Sequence, residues 1–181
     1  MESEKIMLKN KKFWIALSFL CALIIMFTLF KSSSETYDQQ TLVPWLDKIL
    51  AGRPFESALS HISFNYAGSE ISIAAKGYSS FIEFFIRKGA HFFTYFIMGG
   101  SLFVGVLGVT KKYKWAFSAG LFFPLIFAAT DEYHQYLTGG RTPLVQDVIL
   151  DFVGATVGVT VVFLVIKQLK KRRDSKKITV S

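Results

Sequence analysis

The chain has 181 residues, of which 51% are hydrophobic and only 19% are charged. Nineteen of the residues are phenylalanine. A soluble domain usually carries about 25% charged residues. The composition therefore excludes an ordinary soluble domain and indicates a single membrane domain. The one cysteine, Cys21, excludes an intrachain disulfide and any paired-cysteine metal site.

The net charge of +8 is distributed unevenly along the chain. Lys and Arg concentrate in a leader over residues 1–12, in the short segment 111–114 and in the tail over residues 167–181, whereas the other connections are net acidic. Cytoplasmic loops of membrane proteins carry an excess of Lys and Arg. The pattern predicts a multi-pass protein of the cell membrane with both termini in the cytoplasm. It also favours attraction to anionic membrane lipids over nucleic-acid binding.

Four apolar runs are long enough to predict membrane-spanning helices. They lie near residues 13–30, 89–109, 115–131 and 148–166. The first run contains no charge, and no small-residue cleavage site follows it, which favours a retained anchor over a signal peptide. We therefore expect an all-α integral membrane protein. Its membrane domain, over residues 13–166, would be a four-helix transmembrane bundle.

Residues 31–86 form the longest connection, which the charge pattern places outside the cytoplasm. Pro44 and the apolar residues within 42–50 predict a short interfacial helix. Apolar and polar residues alternate over 62–66 and again after Ala67-Gly68-Ser69, which predicts a β-hairpin, with an irregular loop pressed on the membrane as the alternative. The spacing of Ser80 and Glu83 is that of a capping box and predicts the start of the next helix.

Polar side chains interrupt the apolar pattern at one end of the second span. Arg87 and Lys88 begin this span, and Lys88, His91 and Tyr95 share one helical face because they are spaced i, i+3 and i+7. Gly99 and Gly100, further along the helix, would let another helix approach closely.

The stretch from Asp131 to Asp151 carries the densest group of ionisable residues. The third span contains Pro124, which should kink it, and ends in acidic and amide residues at helical spacing. Asp147 and Asp151 are spaced i, i+4 on the fourth span, and Gly154 and Gly158 continue the same stripe. Such a stripe should pack against another helix rather than against lipid, because ionisable groups are costly in a bilayer. The candidate polar network is Arg87, Lys88, His91, Tyr95, Asp131, Glu132, His134, Gln135, Arg141, Asp147 and Asp151.

Three pieces of this pattern resemble the signature of the VanZ-like family of small bacterial membrane proteins. The pieces are 87–92 with Tyr95, Asp131-Glu132 with Gln135, and Arg141 followed by Asp147, Asp151 and Gly154. The resemblance covers residues 80–160. It implies a multi-pass protein of the bacterial cell membrane. It also implies a link to antibiotic resistance, because the founding member is associated with low-level resistance to the lipoglycopeptide teicoplanin.

Three interpretations of the polar network remain open. Opposite charges at one depth could pair and fix the register of the helices. Alternatively, the network could be a pocket at the outer face, in which Arg and Lys hold a phosphate or carboxylate and the carboxylates hold an amine or a divalent ion. The third interpretation is a membrane enzyme acting on a lipid or a lipid-linked wall precursor, with His91 or His134 as a base beside Asp131, Asp147 or Asp151.

Binding without catalysis is favoured, because no recognisable nucleophile elbow or metal-hydrolase motif is present. Neither a metal nor a cofactor is predicted. The expected partners are membrane lipids, with a cell-wall precursor or a lipoglycopeptide as further candidates. No nucleic acid is expected, and a homo-oligomer is left open.

Overall fold

The computed structural model describes residues 2–139 and 144–178, and this part of the chain is mostly helical. A long helix, α1 (Glu2–Ser33), is followed by three short helices, α2 (Tyr37–Gln40), α3 (Val43–Ile49) and α4 (Glu56–Leu59). Two short strands, β1 (Phe64–Tyr66) and β2 (Ser69–Ile71), lead to α5 (Ile73–Lys76). Three long helices complete the fold: α6 (Tyr78–Thr110), α7 (Tyr113–Gly139) and α8 (Val145–Ile178).

Three helical segments within the described residues are long and apolar enough to cross a membrane. They are Asn10–Ser33, Tyr78–Thr110 and Val145–Arg172. The prediction of a helical membrane protein is confirmed to this extent. The predicted third span, 115–131, lies within α7, which is not one of the three. The other predicted spans lie inside helices that extend beyond them, because the flanking polar residues continue the helical backbone.

The four long helices alternate in direction. Lys88, near the start of α6, meets Asp147 at the start of α8, and Ser33 at the end of α1 meets His134 near the end of α7. At the opposite end of the bundle, Lys170 of α8 donates a hydrogen bond to the hydroxyl oxygen of Tyr113, at 2.9 Å. We call the end at which α6 and α8 begin the hairpin end, because β1 and β2 cover it.

Small residues set the distance between α6 and α8. A Cβ atom added to Gly154 or Gly158 would collide with the backbone carbonyl oxygens of Phe92 and Phe96. A Cβ atom on Gly99 would meet the carbonyl oxygen of Ala155 at 2.8 Å. The prediction that the Gly154–Gly158 stripe packs against another helix is confirmed. This close backbone approach is what brings the polar start of α8 against α6.

Side chains on the outer faces of the bundle are large, apolar and exposed, among them Phe27, Phe122, Ile126 and Leu164. The interior contains Tyr95, Met98, Leu102, Ala128 and Ala155, which form one hydrophobic cluster. An apolar outside around a tightly packed inside is the pattern of a helical bundle that faces lipid. α7 continues as a helix through the buried Pro124.

The loop contains the predicted short helix and the predicted hairpin. Pro44 lies in the first turn of α3, and the strands pair antiparallel with Tyr66 opposite Ser69. The two turn residues, Ala67 and Gly68, both have positive φ, at 50° and 82°. A two-residue turn with both φ angles positive matches the twist of the strands that it joins. This local geometry fixes where Tyr66 lies.

The predicted capping box at Ser80 and Glu83 is wrong. α6 begins two residues earlier, at Tyr78, so Glu83 lies inside the helix. Its side chain is 1% exposed and accepts hydrogen bonds from the Leu42 backbone N–H, at 2.5 Å, and from the Thr41 hydroxyl, at 3.4 Å. Glu83 therefore ties the start of α3 to α6 instead of capping its own helix.

Candidate functional site

The face of α6 that carries Lys88, His91 and Tyr95 lies against α8, as its spacing predicts. The Lys88 ammonium lies 2.6 Å from both carboxylate oxygens of Asp147. One turn further along each helix, His91 Nδ1 lies 3.5 Å from Asp151 Oδ2, an ion pair whenever the imidazole is protonated. The helical repeat thus stacks two acid–base pairs at the hairpin end.

The carboxylate of the second pair lies almost out of contact with solvent, whereas the His91 side chain is 32% exposed. The Asp151 side chain is 6% exposed and Tyr95 is fully buried. Within residues 2–139 and 144–178, neither Asp151 Oδ1 nor the Tyr95 hydroxyl has a hydrogen-bond partner. Buried polar groups of this kind cost free energy, so the spacing of α6 and α8 must be maintained by the surrounding packing.

The last turns of α7 supply a carboxylate and an amide to the same end. Gln135 donates to Asp131 Oδ2 at 3.1 Å, one turn back on the same helix. Glu132 Oε1 accepts a hydrogen bond of 2.7 Å from the backbone N–H of Leu144, the residue just before α8. Glu132 therefore satisfies one of the unpaired N–H groups at the start of α8 and joins the two helices.

The hairpin adds an aromatic side chain to these charges. The Tyr66 hydroxyl donates a hydrogen bond to Asp147 Oδ1, so Asp147 holds both Lys88 and the hairpin. Burial, together with this hydrogen bond and the Asp147 charge, raises the pKa of Tyr66 above its ordinary value. The phenol therefore stays protonated and remains a donor at neutral pH.

A cavity of about 510 Å³ opens between the hairpin, α5 and the ends of α6, α7 and α8. Its apolar wall includes Tyr66, Ile71, Phe84 and Leu144. Its ionisable and amide lining consists of Lys76, Glu83, Arg87, Lys88, His91, Glu132, Gln135 and Asp147. Cations and carboxylates thus face one space, next to the apolar surface of the bundle. We call this space the headgroup cavity.

Six residues of the predicted network line the headgroup cavity: Arg87, Lys88, His91, Glu132, Gln135 and Asp147. Tyr95, Asp131 and Asp151 are buried and do not line it. Arg87 donates to Gln40 Oε1 at 3.2 Å, which connects the cavity wall to α2. Arg141 lies outside the described residues.

His134 contacts α1 rather than the cavity. Its Nδ1 lies 2.9 Å from the Ser33 hydroxyl, and its ring stacks on Phe30 with a centroid distance of 4.8 Å. Both contacts are with α1, and His134 does not line the headgroup cavity. Its position fits a role in fastening α1 to α7 rather than in the cavity.

The predicted network does not include four ionisable or aromatic residues of the cavity lining: Tyr66, Lys76, Glu83 and Phe84. The alternation in β1 places Tyr66 correctly in a hairpin but carries no signal for its contact with Asp147, 81 positions away. Phe84 could have been found, because it lies one helical turn before Lys88 on α6. Across the two described ranges, no group of three or more His, Cys, Asp or Glu side chains is arranged to hold a metal ion.

Comparison with known protein families gives a match over most of the chain. The model of the VanZ/LLP1 family matches residues 14–167, which is most of the chain. No curated protein and no solved structure matches the chain. The matched region includes all four long helices, at least in part, and every residue of the headgroup cavity. The chain therefore belongs to the VanZ/LLP1 family.

Proposed function

We propose that the headgroup cavity binds the polar headgroup of a membrane lipid or of a related cell-wall precursor. Through this binding, the protein would influence how lipoglycopeptides such as teicoplanin act on the cell envelope. The observation that carries the proposal is the headgroup cavity itself, in which charged groups from α5 to α8 meet beside the apolar surface of the bundle. A lipid offers the matching combination of a charged headgroup and an apolar tail.

The direction of the helices supports a four-span topology. α6 and α8 are each long and apolar enough to cross the membrane, and both begin at the hairpin end. If both cross, the intervening α7 must return the chain through the bilayer. The basic segments 111–114 and 167–178 then share one side, which the positive-inside rule assigns to the cytoplasm. The headgroup cavity would open at the outer face.

The size of the cavity and its charges favour a headgroup over a bare ion. About 510 Å³ lies in the range of sites for small organic ligands, 300–1,000 Å³. Lys76 and Arg87 offer hydrogen-bond donors to a phosphate, and Glu132 and Asp147 offer acceptors to hydroxyl or amine groups. The apolar wall would receive the part of the lipid that adjoins the headgroup.

Catalysis on a lipid or wall precursor is the second candidate, because one observation favours it specifically. Asp151 holds His91 by one ring nitrogen while His91 also lines the headgroup cavity. A histidine oriented in this way by a carboxylate is the usual form of a general base. An enzyme predicts a changed profile of lipids or wall precursors when the protein is overproduced, and His91→Gln should abolish that change.

The test is teicoplanin susceptibility in a host that lacks its own family member. Arg87→Gln and Asp147→Asn should lose the effect on susceptibility that the wild-type chain confers, with protein abundance maintained. Arg53→Gln is the matched control, because Arg53 is exposed, pairs with Glu56 on the loop and does not line the headgroup cavity. Abundance is measured in the same membranes.

The outcomes separate the three interpretations. If the cavity variants are as abundant as wild type and keep its effect, the cavity is not the functional site. If the effect falls only in proportion to abundance, the charges serve the fold alone. Loss of the effect at normal abundance, with the lipid profile unchanged, supports binding rather than catalysis.

A further inference from the structure

The ammonium group of Lys88 lies in a cage built from three elements. Both oxygens of Asp147 lie 2.6 Å from it, and the ring centroids of Tyr66 and Phe84 lie 5.0 Å and 5.7 Å away. Aromatic faces combined with a carboxylate are the usual means by which proteins hold an alkylammonium ion. We call Tyr66, Phe84 and Asp147 the ammonium cage.

The cage has connections that do not depend on Lys88. Tyr66 donates its hydroxyl proton to Asp147, and its ring packs edge-on against Phe84 with the centroids 5.2 Å apart. Removing the lysine ammonium would therefore leave the carboxylate and both rings connected to each other. The cage has the features of a binding site, whereas a simple surface ion pair needs no aromatic walls.

The ammonium cage opens on the headgroup cavity, and the Lys88 side chain that fills it is partly exposed to solvent. The side chains of Lys88 and Asp147 are 24% and 19% exposed, and all three cage residues line the cavity. Lys88 ends in a flexible four-carbon stem, so its ammonium can turn toward a ligand in the cavity. Lys76 and Arg87 line the same space.

Charge balance restricts which ligands can displace Lys88. An anion alone would draw Lys88 away from Asp147 and leave a partly buried carboxylate without its cation. An amine alone would displace the Lys88 ammonium from Asp147 and bring no anion to replace that contact. A ligand that carries both a phosphate and an ammonium group would pair both: its ammonium would replace Lys88 on Asp147, and its phosphate would receive Lys88.

We propose that the ammonium cage is the subsite for the amine of a zwitterionic aminophosphate headgroup, and that Lys88 occupies this subsite until the ligand arrives. Upon binding, Lys88 moves onto the ligand phosphate beside Lys76 and Arg87. The exchange forms and breaks no covalent bond. The inference rests on the proposed function, since it names the class of headgroup that the cavity takes.

The first test compares soluble headgroups by calorimetry on the purified full-length protein. The probes are glycerophosphoethanolamine, glycerol 3-phosphate and ethanolamine. The zwitterion should bind about tenfold or more tightly than either half, because it alone makes both sets of charge-assisted hydrogen bonds. The protein is then placed in nanodiscs containing phosphatidylethanolamine or in nanodiscs containing phosphatidylglycerol, to decide whether the natural ligand is a lipid. Added glycerophosphoethanolamine should have to compete with a bound lipid headgroup only in the nanodiscs that contain phosphatidylethanolamine.

The second test removes the ammonium group of Lys88 but keeps an unbranched side chain at this position. Lys88→Met should bind ethanolamine about tenfold more tightly than wild type, because the cage is then vacant. Its preference for the zwitterion over ethanolamine should become smaller, because only Lys76 and Arg87 then remain to receive the phosphate. Lys48→Met is the control: Lys48 is exposed on α3 and does not line the headgroup cavity, so this variant removes a cation without vacating the cage, and its affinity for ethanolamine should stay that of wild type. A merely structural ion pair predicts no gain for the amine.

The failures of the two proposals differ. Equal binding of glycerol 3-phosphate and the zwitterion by the wild-type protein would overturn the ammonium cage and leave the headgroup cavity standing. Binding of none of the probes, soluble or in nanodiscs, would overturn both. If Lys88→Met does not fold, the selectivity of the wild-type protein among the three soluble probes decides the matter alone.

Discussion

Single side chains connect separate elements at the hairpin end. Glu83 holds the start of α3, Asp147 holds the hairpin through Tyr66, and Glu132 holds the start of α8. Each of these carboxylates accepts a hydrogen bond from a partner far away in sequence or on another element. Hydrogen bonds to a charged acceptor are stronger than neutral ones, so a few residues suffice to seat a long loop.

The protonation of Tyr66 gives a prediction at this scale. Its pKa is higher in the folded protein than the ordinary value of about 10, through burial and the hydrogen bond to Asp147. A group with a raised folded pKa contributes stability below its unfolded pKa, and that stability is lost as the pH rises toward the folded value. The Tyr66 contact should therefore be intact from neutral pH to about pH 10 and weaken only above it.

Absorbance titration of the tyrosines measures this behaviour. Tyr66→Phe should remove one phenol that ionises at a higher pH than ordinary tyrosines do. The part of the titration curve at lower pH should stay unchanged. Tyr133→Phe is a suitable control, because Tyr133 is 60% exposed. If the phenol lost in Tyr66→Phe ionises near pH 10, Tyr66 is not held by Asp147 in solution.

At the scale of the elements, the glycines of α8 decide how closely the helices approach. Gly154 and Gly158 lie directly against backbone carbonyls of α6, so no side chain can be accommodated there without moving a helix. The acidic part of the same stripe then meets Lys88 and His91. Small residues deep in the bundle thus position charged residues at its end.

Gly158→Ala tests this arrangement. The added methyl group would collide with the carbonyl oxygen of Phe96, a backbone atom that cannot rotate away. We expect a loss of about 1–3 kcal/mol in the free energy of unfolding, the usual cost of overpacking, together with a weaker contact between Lys88 and Asp147. Thermal unfolding in detergent measures the loss.

Gly89→Ala is the matched control, on the helix that faces Gly158. Apart from its chain neighbours and the backbone of its own helix, no described atom lies within 4 Å of the position that its Cβ would take. Alanine in a helix interior is favoured over glycine by about 0.5–1 kcal/mol, so this variant should be neutral or slightly more stable. Equal stability of the two variants would show that the close approach of α6 and α8 does not hold in the membrane protein.

The sequence was sufficient for the elements that depend on local pattern. The long helices, the start of α3 at Pro44 and the hairpin around Ala67-Gly68 all follow from periodicity and turn chemistry. The Lys88, His91 and Tyr95 face was also predictable, since helical spacing alone defines it. The contacts of Glu83 and Tyr66 were not, because each joins positions more than forty residues apart and no local rule encodes them.

At the scale of the whole molecule, the charges divide between the two ends of the bundle. The hairpin end holds acids and bases in contact, as in the Lys88–Asp147 and His91–Asp151 pairs. The opposite end holds the cationic segment 111–114 and the start of the basic tail, where Lys170 lies against Tyr113. A membrane protein with this asymmetry should insert with its basic end in the cytoplasm.

Labelling of single cysteines in intact cells tests this orientation. Cys21→Ala removes the only native thiol, and a new cysteine is then placed at Ser57 in the loop or at Ser175 in the tail. Both positions are exposed, so a reagent on the right side can reach them. A maleimide that cannot cross membranes should label Ser57→Cys in intact cells, and label Ser175→Cys only after permeabilisation.

The control for access is the same pair of variants in permeabilised cells, where both should react to a similar extent. Labelling of Ser175→Cys but not Ser57→Cys in intact cells would place the headgroup cavity in the cytoplasm. Labelling of both would mean that the chain crosses the membrane an even number of times between them, so that α6, α7 and α8 could not all be spans. The predicted pattern instead requires an odd number of crossings between Ser57 and Ser175, so that the tail lies in the cytoplasm. The three successive helices α6, α7 and α8 supply these crossings.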